Sequence, residues 1–259
     1  MSEAIFVRDG DTYVPTSNAI GPWSKESLHG GPPAALLARA VEREVGNSEM
    51  AVARLTVDLF RAVPKAPLTD TARTVRDGRR IKAVDASLFA GDVEVARASA
   101  VALLRTGDFE SEAVPAPVGP DGLPPLRMSM GDGLFPKMFL DCLDARSLGE
   151  ATGLAGAWFR MPVELVEGEA VTPFQFAAAM SDFGNLLAGI SGRREKDGDW
   201  SFINTDITLN LAREPSGEWI CVIAERPLAS NGVGSVQVAQ YDLRGQFGSS
   251  SHSRLANPR

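Results

Sequence analysis

The stretch GGPPAALLARAVEREVG, residues 30–46, decides how the first half of the chain folds. Leu37, Val41 and Val45 recur every four residues, which is the spacing of one face of an α-helix. Prolines stand in the first turn and a glycine follows the last turn, as is typical of helix boundaries. The pattern predicts one helix with a buried apolar face, and it predicts that Arg39 faces away from it.

The segments after this helix have the alternating pattern of β-strands. In ARLTVDLFRAV, residues 53–63, Leu55, Val57 and Leu59 alternate with polar residues. Further strands are predicted near 68–76, 80–90 and 93–105, separated by Asp77-Gly78 and Gly91-Asp92. Such dipeptides are hairpin signals, so the segments indicate an antiparallel meander.

The second half repeats this order of elements. TPFQFAAAMSDFGNLLAGI, residues 172–190, is predicted to be its one long helix, which Thr172-Pro173 caps and starts. Strands are predicted near 200–212, 218–226, 234–242 and 246–254, with turns at Pro215-Ser216-Gly217, Asn231-Gly232 and Arg244-Gly245. A meander must bury one face, and the helix is the large apolar element available. The predicted fold class is therefore α+β, with an antiparallel sheet wrapped around a central helix, built twice.

A proline-rich connector separates the two halves. Five prolines fall within eleven residues, which excludes a helix or a central strand: Pro115, Pro117, Pro120, Pro124 and Pro125. The sequence thus predicts an N-terminal domain over 1–107, a linker over 108–127 and a C-terminal domain over 128–259.

Composition excludes several classes of protein. The 259 residues are 44% hydrophobic and 23% charged, as in ordinary globular proteins, and the net charge of −7 disfavours a nucleic-acid partner. Two cysteines without a CxxC exclude a disulfide-rich scaffold, and two histidines exclude a multi-histidine metal site. No cofactor, secretory signal or membrane span is expected, which favours a cytoplasmic location.

Asp182 is the most informative single residue. It is the only charged residue between Thr172 and Ser191, in a segment that is otherwise apolar or small. A lone carboxylate in a buried helix is costly unless it is hydrogen-bonded, paired or partly protonated. Asp182 either caps a helix or turn near Gly184, or is a general base with a tuned pKa that deprotonates a water.

Two glycines, Gly30 and Gly31, follow His29 and precede the first helix. Free N–H groups at such a helix start can stabilise an oxyanion, although glycines can equally just form a tight turn. His29 alone is typical of a capping or packing residue. The second helix has the acid but no diglycine, so we predict a composite site if the halves pack together, with one histidine of each half, His29 and His252, beside it. Glu42 is a competing acid on the flank of the first helix's apolar face.

Four segments together resemble acyl-CoA thioesterases of the double-hotdog type, the relatives of bacterial acyl-CoA thioesterase II. They are HGGPPAALLARAVE, the helix with SDFGNLL, the run NTDITLNLAREPSGEW and the closing YDLRGQFGSSSHSRL. The resemblance spans nearly the whole chain in the right order. It implies two fused hotdog domains, each with a long helix wrapped by an antiparallel sheet.

The resemblance also implies a set of site residues. In that family an aspartate on the second central helix, a hydroxyl or amide residue on the following strand and a glutamine on the last strand hold the hydrolytic water. Asp182 matches the aspartate, and Asn204 stands where the best-known members have threonine. The glutamine position is altered: His252 replaces it, or Ser253 one residue later. A histidine there can donate a hydrogen bond or move a proton, or it can signal altered or lost activity.

The implied activity is hydrolysis of acyl-CoA to a carboxylic acid and CoA, without a cofactor and with the Gly31 N–H facing the thioester oxygen. A homodimer or higher homo-oligomer is also implied. One alternative is a non-catalytic acyl-CoA binding protein, because a family position has changed. A less favoured one is a hotdog enoyl-CoA hydratase, whose aspartate and histidine lie together on one segment, whereas Asp182 has no such sequence neighbour.

CoA is a polyanion, so this acidic chain needs a local basic patch to bind it. The candidate clusters are Arg73, Arg76, Arg79, Arg80 and Lys82, and Arg193, Arg194 and Lys196. Each cluster is interpreted more readily as solvated charges on a turn and on a strand's outer face. The large apolar residues of the second helix, which are interpreted as core more readily than as an acyl tunnel, are Phe174, Phe176, Met180 and Phe183.

Overall fold

A computed structural model describes residues 4–46, 49–107, 109, 111–126, 138–190, 200–225 and 227–258. Within these residues the α-helices are α1 (Gly31–Val45), α2 (Gly149–Thr152), α3 (Pro173–Ser181) and α4 (Gly184–Ile190). Helix α1 begins with its two prolines in the first turn and ends at Gly46, which has the left-handed conformation that glycine favours. The predicted first helix is confirmed at both ends.

Fourteen strands form one antiparallel sheet in the part of the chain that the structure describes. They are β1 (Phe6–Asp9), β2 (Thr12–Pro15), β3 (Met50–Leu59), β4 (Leu68–Asp77), β5 (Ile81–Ala90), β6 (Val93–Leu104), β7 (Asp144–Ser147), β8 (Ala155–Arg160), β9 (Trp200–Asn204), β10 (Asp206–Leu211), β11 (Ile220–Ala224), β12 (Leu228–Ser230), β13 (Val233–Asp242) and β14 (Gly245–Pro258). The main path runs β1-β2-β4-β5-β6-β3-β10-β14-β13-β11-β8-β7, with β12 on β13 and β9 on β14.

The two halves of the chain meet in the middle of this sheet. Strand β3 of the first half pairs with β10 of the second, from Arg54 opposite Asn210 to Asp58 opposite Asp206. The sheet curves around the helices, so that α1 contacts β3 to β6 while α4 contacts β8, β11, β13 and β14. The α+β class and the sheet wrapped around central helices in each half are confirmed.

Each half also has a pair of strands before its helix, which the sequence did not predict. Strands β1 and β2 extend one edge of the sheet and β7 and β8 extend the other. Four of the six residues of β8 are buried, so its sequence AGAWFR lacks the alternation of polar and apolar residues that marks a strand with one wet face.

The second central helix is interrupted near Gly184, which agrees with the alternative in which Asp182 caps a helix there and not with one continuous helix over residues 172–190. Helix α3 ends at Ser181 with Asp182 as its C-cap, and α4 begins at Gly184. A Cβ on Gly184 would lie 2.4 Å from a methyl carbon of Val238 and 2.9 Å from Nε2 of His252, so only glycine permits this close approach to the sheet. The predicted strand near 200–212 is likewise divided, into β9 and β10.

One outward-facing residue of the predicted first helix proves to be buried. Arg39 is 7% exposed and forms a bidentate pair with Glu169 of the second half, with both N···O distances at 2.7 Å. Its Nη1 also donates to the hydroxyl of Tyr13. The prediction that Arg39 faces away was wrong because an acid from the other half supplies a partner that the local sequence does not reveal.

The described part of the connector, residues 111–126, lies along the second half. The Trp158 indole N–H donates to the Val118 carbonyl at 2.8 Å, and the Gln246 N–H donates to the Val114 carbonyl at 2.8 Å. The boundaries at 107 and 127 remain a prediction. No helix within the described ranges is long and apolar enough to span a bilayer.

Candidate active site

Helices α1 and α3 pack against each other in opposite directions, so the start of each lies beside the end of the other. At one end the diglycine of the first half meets the C-cap of α3. A Cβ on Gly30 would lie 2.7 and 2.8 Å from the two carboxylate oxygens of Asp182. Only glycine leaves room for that carboxylate, which explains why a glycine stands at the N-cap of α1.

Asp182 is buried and is held by side chains from both halves. Its Oδ2 lies 2.9 Å from Nδ1 of His29, and its Oδ1 accepts a hydrogen bond from Nδ2 of Asn204 at 3.0 Å. Burial opposes ionisation, but attraction to His29 and the hydrogen bonds from His29 and Asn204 outweigh it. The pKa of the Asp182 carboxyl therefore lies below its ordinary value, and the group is a carboxylate at neutral pH.

His29 contacts Asp182 directly, a pairing that the expectation of one histidine from each half beside the site did not specify. Its side chain is 4% exposed and its ring stacks on Phe183, with centroids 5.1 Å apart, and is tilted against Phe139 at 5.2 Å. The Gly31 nitrogen lies 3.1 Å from Nδ1 of the same ring. Asp182 thus does have a histidine neighbour, supplied by the other half, and the available signal was the diglycine that follows His29.

His252 and Asn204 bring further polar atoms to Asp182. Burial lowers the pKa of His252 and outweighs the attraction to the Asp182 carboxylate, which would raise it. The His252 ring is therefore neutral at neutral pH. Neither ring nitrogen of His252, nor Oδ1 of Asn204, makes a hydrogen bond within the described ranges, although backbone groups of Ser181 and Asp206 lie near the ring. Ser253, the alternative for the altered position, is exposed on the opposite face of β14.

The structure therefore brings the five predicted site residues together: Gly30, Gly31, Asp182, Asn204 and His252. Asp182 is also the C-cap of α3, so the capping position and the contact with His29 belong to one residue. The competing acid, Glu42, lies elsewhere, toward the far end of α1.

At that far end, Glu42 meets the start of α3. Its two carboxylate oxygens accept hydrogen bonds from the Thr172 hydroxyl and from Nε2 of Gln175, each at 2.7 Å. Burial is the larger influence and raises the pKa of Glu42 above its ordinary value. Glu42 also lines a cavity of about 410 Å³ that Phe174 and Arg105 border.

The basic cluster of the β4–β5 hairpin lies at this same far end. Nζ of Lys82 donates to the carbonyls of Glu44 and Val45 in the last turn of α1, and Arg73 pairs with Asp85. At 1.5 Å per residue, the end of α1 lies about 20 Å from its start beside Asp182. The second cluster, Arg193, Arg194 and Lys196, lies outside the described residues.

The described residues give little support for a cysteine nucleophile or a metal site. Both cysteines are buried, and burial raises the pKa of the Cys221 thiol, so that it is not a thiolate at neutral pH. In the described ranges no group of three or more His, Cys, Asp or Glu side chains could hold a metal ion. The buried phenylalanines and methionine of α3 and the C-cap turn pack in the core.

Two helices wrapped by one continuous sheet, with a site shared between the halves, define a double-hotdog protein. The chain belongs to the acyl-CoA thioesterase family: residues 19–103 match its N-terminal domain and residues 114–255 match its C-terminal domain. No curated protein matches the sequence significantly.

Solved structures share the fold at low sequence identity. A candidate thioesterase from Novosphingobium aromaticivorans is 20% identical, with a TM-score of 0.74 over 97% of this chain and 98% of that one. The TesB protein of Mycobacterium avium subsp. paratuberculosis is 13% identical, with a TM-score of 0.71 over 97% and 95%. Acyl-CoA thioesterase II TesB2 from Mycobacterium marinum is 17% identical, with a TM-score of 0.67 over 97% and 93%.

Proposed function

We propose that the protein hydrolyses acyl-CoA thioesters to a carboxylic acid and CoA, with Asp182 as the general base. The observation that carries the proposal is the position of this carboxylate. It is buried and ionised, and it lies directly against the diglycine start of a helix from the other half. A base and a helix N-terminus at one point are the two groups that attack of water on a thioester carbonyl requires.

The proposed reaction uses the groups in sequence. The Asp182 carboxylate takes a proton from a water while the water oxygen forms a bond to the thioester carbon. Negative charge then develops on the carbonyl oxygen, where the Gly31 N–H and the positive end of the α1 dipole stabilise it. The C–S bond breaks, the proton held by Asp182 passes to the sulfur, and the acid and CoA leave.

The polar atoms around Asp182 support a role in holding water. Oδ1 of Asn204 and both ring nitrogens of His252 are buried and lack hydrogen bonds to the described residues. Buried polar groups in proteins almost always have a partner, and a bound water supplies one without any change in the fold. Asn204 and His252 would therefore position the nucleophile that Asp182 activates.

Thiol release from a panel of short to long acyl-CoAs tests this proposal. Asp182→Asn should lower kcat by about 10²- to 10⁴-fold, because general base catalysis contributes that much. The matched control is Glu42→Gln, which makes the same carboxylate-to-amide change at the other end of the helix pair and should retain wild-type turnover. If no acyl-CoA is hydrolysed faster by the wild type than by Asp182→Asn, the proposal is wrong.

The contact between His29 and Asp182 favours one second candidate, addition of water to a 2-enoyl-CoA. This acid–base pair could protonate one alkene carbon while delivering water to the other. A 2-enoyl-CoA substrate separates the two activities, because hydration consumes the double bond without releasing thiol. Binding of acyl-CoA with neither reaction would identify a non-catalytic binding protein.

The cellular setting belongs to the same proposal. A thioesterase acting on acyl-CoA would work in lipid metabolism in the cytoplasm, and a homodimer or higher homo-oligomer is expected for this family. Light scattering of the purified protein measures the oligomeric state directly. A monomer at all concentrations would contradict that expectation while leaving the proposed chemistry unchanged.

A further inference from the structure

We propose that His29 is a positioning residue that couples the base to the oxyanion donor: a proton on its Nδ1 holds the Asp182 carboxylate and at the same time releases the Gly31 N–H for the substrate carbonyl. The inference rests on the proposed function of this site. It assigns a role to a histidine that the water-holding groups described above do not include.

The argument begins with two groups that compete for one nitrogen. Nδ1 of His29 lies 2.9 Å from Oδ2 of Asp182 and 3.1 Å from the Gly31 nitrogen. An imidazole nitrogen either carries a hydrogen and donates, or carries a lone pair and accepts. Nδ1 can therefore donate to the carboxylate or accept from the Gly31 N–H, but it cannot do both.

The carboxylate decides which of these two states prevails. Oδ2 is negatively charged and buried, so a lone pair on Nδ1 at 2.9 Å would face it with strong repulsion, whereas an N–H there forms a charge-assisted hydrogen bond. The Nδ1–H state is thus selected by Asp182 itself. The Gly31 N–H then faces an N–H instead of an acceptor, and it lacks a partner until an oxygen atom arrives.

The surroundings of His29 restrict rotation of its ring, so that Nδ1 stays beside both Asp182 and Gly31. Phe183 and Phe139 pack against the ring, and its own backbone N–H donates to the Ala19 carbonyl at 3.0 Å. The side chains of His29 and Asp182 are only 4% and 6% exposed, and hydrogen bonds are stronger in such a low-dielectric interior. The position of one proton therefore sets the state of the base and of the oxyanion donor together.

Side-chain ¹⁵N NMR of the histidines tests the position of the proton in the wild-type protein. The chain has two histidines, so His252→Gln leaves only the His29 signals and assigns them. We expect Nδ1 of His29 to carry hydrogen and the Gly31 amide hydrogen to lack a histidine acceptor. A His29 ring protonated on Nε2 alone, with a bond from the Gly31 amide to Nδ1, would overturn the inference.

Two variants test the consequence for turnover. His29→Asn places an amide N–H near the position of Nδ1, whereas His29→Phe keeps the aromatic packing without any nitrogen. We expect His29→Phe to lower kcat about 100-fold with little change in KM, and His29→Asn to recover most of that loss. Equal kcat values for the two variants, with both folded by circular dichroism, would contradict the coupling.

These experiments separate the coupling from the proposed function. If the wild-type protein releases no thiol from any acyl-CoA, the hydrolase proposal fails, and the NMR measurement alone still decides where the proton lies. If the wild type is active and His29→Phe keeps its full kcat, the hydrolase proposal stands and the coupling is wrong.

Discussion

At the two ends of the α1–α3 pair, the same kind of helix packing shifts the pKa values of two carboxyl groups in opposite directions. At each end an acid from one helix meets the first residues of the other. Asp182 meets glycines and a histidine, and its pKa is lowered, whereas Glu42 meets the Thr172 cap and Gln175, and its pKa is raised. The difference lies in the partners. His29 and Asn204 favour the Asp182 anion enough to outweigh its burial, whereas at Glu42 the hydroxyl, the amide and the attraction to Arg39 do not outweigh burial and the repulsion from Glu214.

The ends also differ in what the helix start can offer a substrate. At the Glu42 end the Thr172 hydroxyl accepts a hydrogen bond from the Gln175 N–H, so the cap is internally satisfied. At the Asp182 end Gly30 has no side chain to cap α1, and the carboxylate occupies the space that a Cβ would fill. The start of α3 therefore has a side-chain cap, whereas the start of α1 has none.

The largest effect that would test this contrast comes from Gly30→Ala. The added methyl carbon would lie 2.7–2.9 Å from the Asp182 carboxyl group and displace it, and misplacement of a catalytic group by about 1 Å costs about 100-fold in turnover. Steady-state thioester hydrolysis measures the loss. Gly189→Ala is the control, because its Cβ meets nothing within 4 Å. Wild-type turnover in Gly30→Ala would show that the carboxylate position does not matter.

A smaller effect is expected at the Glu42 end from Thr172→Ala. This variant removes the N-cap bond to Gln175 and the hydroxyl bond to Glu42, and loss of such a cap typically costs about 1 kcal/mol of unfolding free energy. Urea denaturation measures the change, and hydrolysis should stay at the wild-type rate. A large fall in kcat without a fall in stability would mean that this end takes part in catalysis.

The two acids should also give stability profiles of opposite sign against pH. The lowered pKa of Asp182 stabilises the fold above about pH 4, near the ordinary value, and this contribution is lost as the pH falls through the folded-state pKa. The raised pKa of Glu42 acts the other way, and its stabilisation is lost as the pH rises from about 4 through the folded-state value.

Denaturation of Asp182→Asn and Glu42→Gln across this pH range reveals both contributions as differences from the wild type. The stability advantage of the wild type over Asp182→Asn should shrink toward acid. Its stability relative to Glu42→Gln should instead decline toward neutral pH. Profiles with the same sign would show that the two ends are electrostatically alike.

The smallest effect is expected from His252→Gln. Both side chains can donate one N–H from nearly the same place, so turnover should stay within about threefold of the wild type or rise. The resemblance to the thioesterase family implies glutamine at this position, so a gain in turnover also agrees with the prediction. Complete loss of hydrolysis in a folded variant would mean that the imidazole has its own chemical role.

The sequence predicted those elements whose signals are local. The prolines and glycine around α1, the Thr172-Pro173 start of α3 and the Asn231-Gly232 turn are each specified by neighbouring residues. Asn231 and Gly232 both have the positive φ angles that this dipeptide favours in a hairpin. The sequence offered the break in the second helix only as the alternative in which Asp182 caps a helix near Gly184. It could not decide between the alternatives, because the break depends on how closely β13 and β14 approach Gly184.

The site could be predicted in its parts but not in its most important contact. Asp182 and Gly30 were recognisable because a lone acid and a diglycine are unusual at helix positions. The pairing of Asp182 with His29 spans the two halves, and no local pattern encodes which residues meet across them. The burial of Arg39 against Glu169 was missed for the same reason.

The fusion of both halves into one chain, through the β3–β10 pairing and the connector, has an evolutionary consequence. In a dimer of identical subunits, any substitution beside one helix start appears beside the other as well, so both sites must change together. Here each copy mutates independently. One copy can keep the diglycine and histidine while the other keeps the acid. Selection can then act on this one site, while the equivalent place at the other end of the helix pair, where Glu42 meets Thr172, contributes to stability.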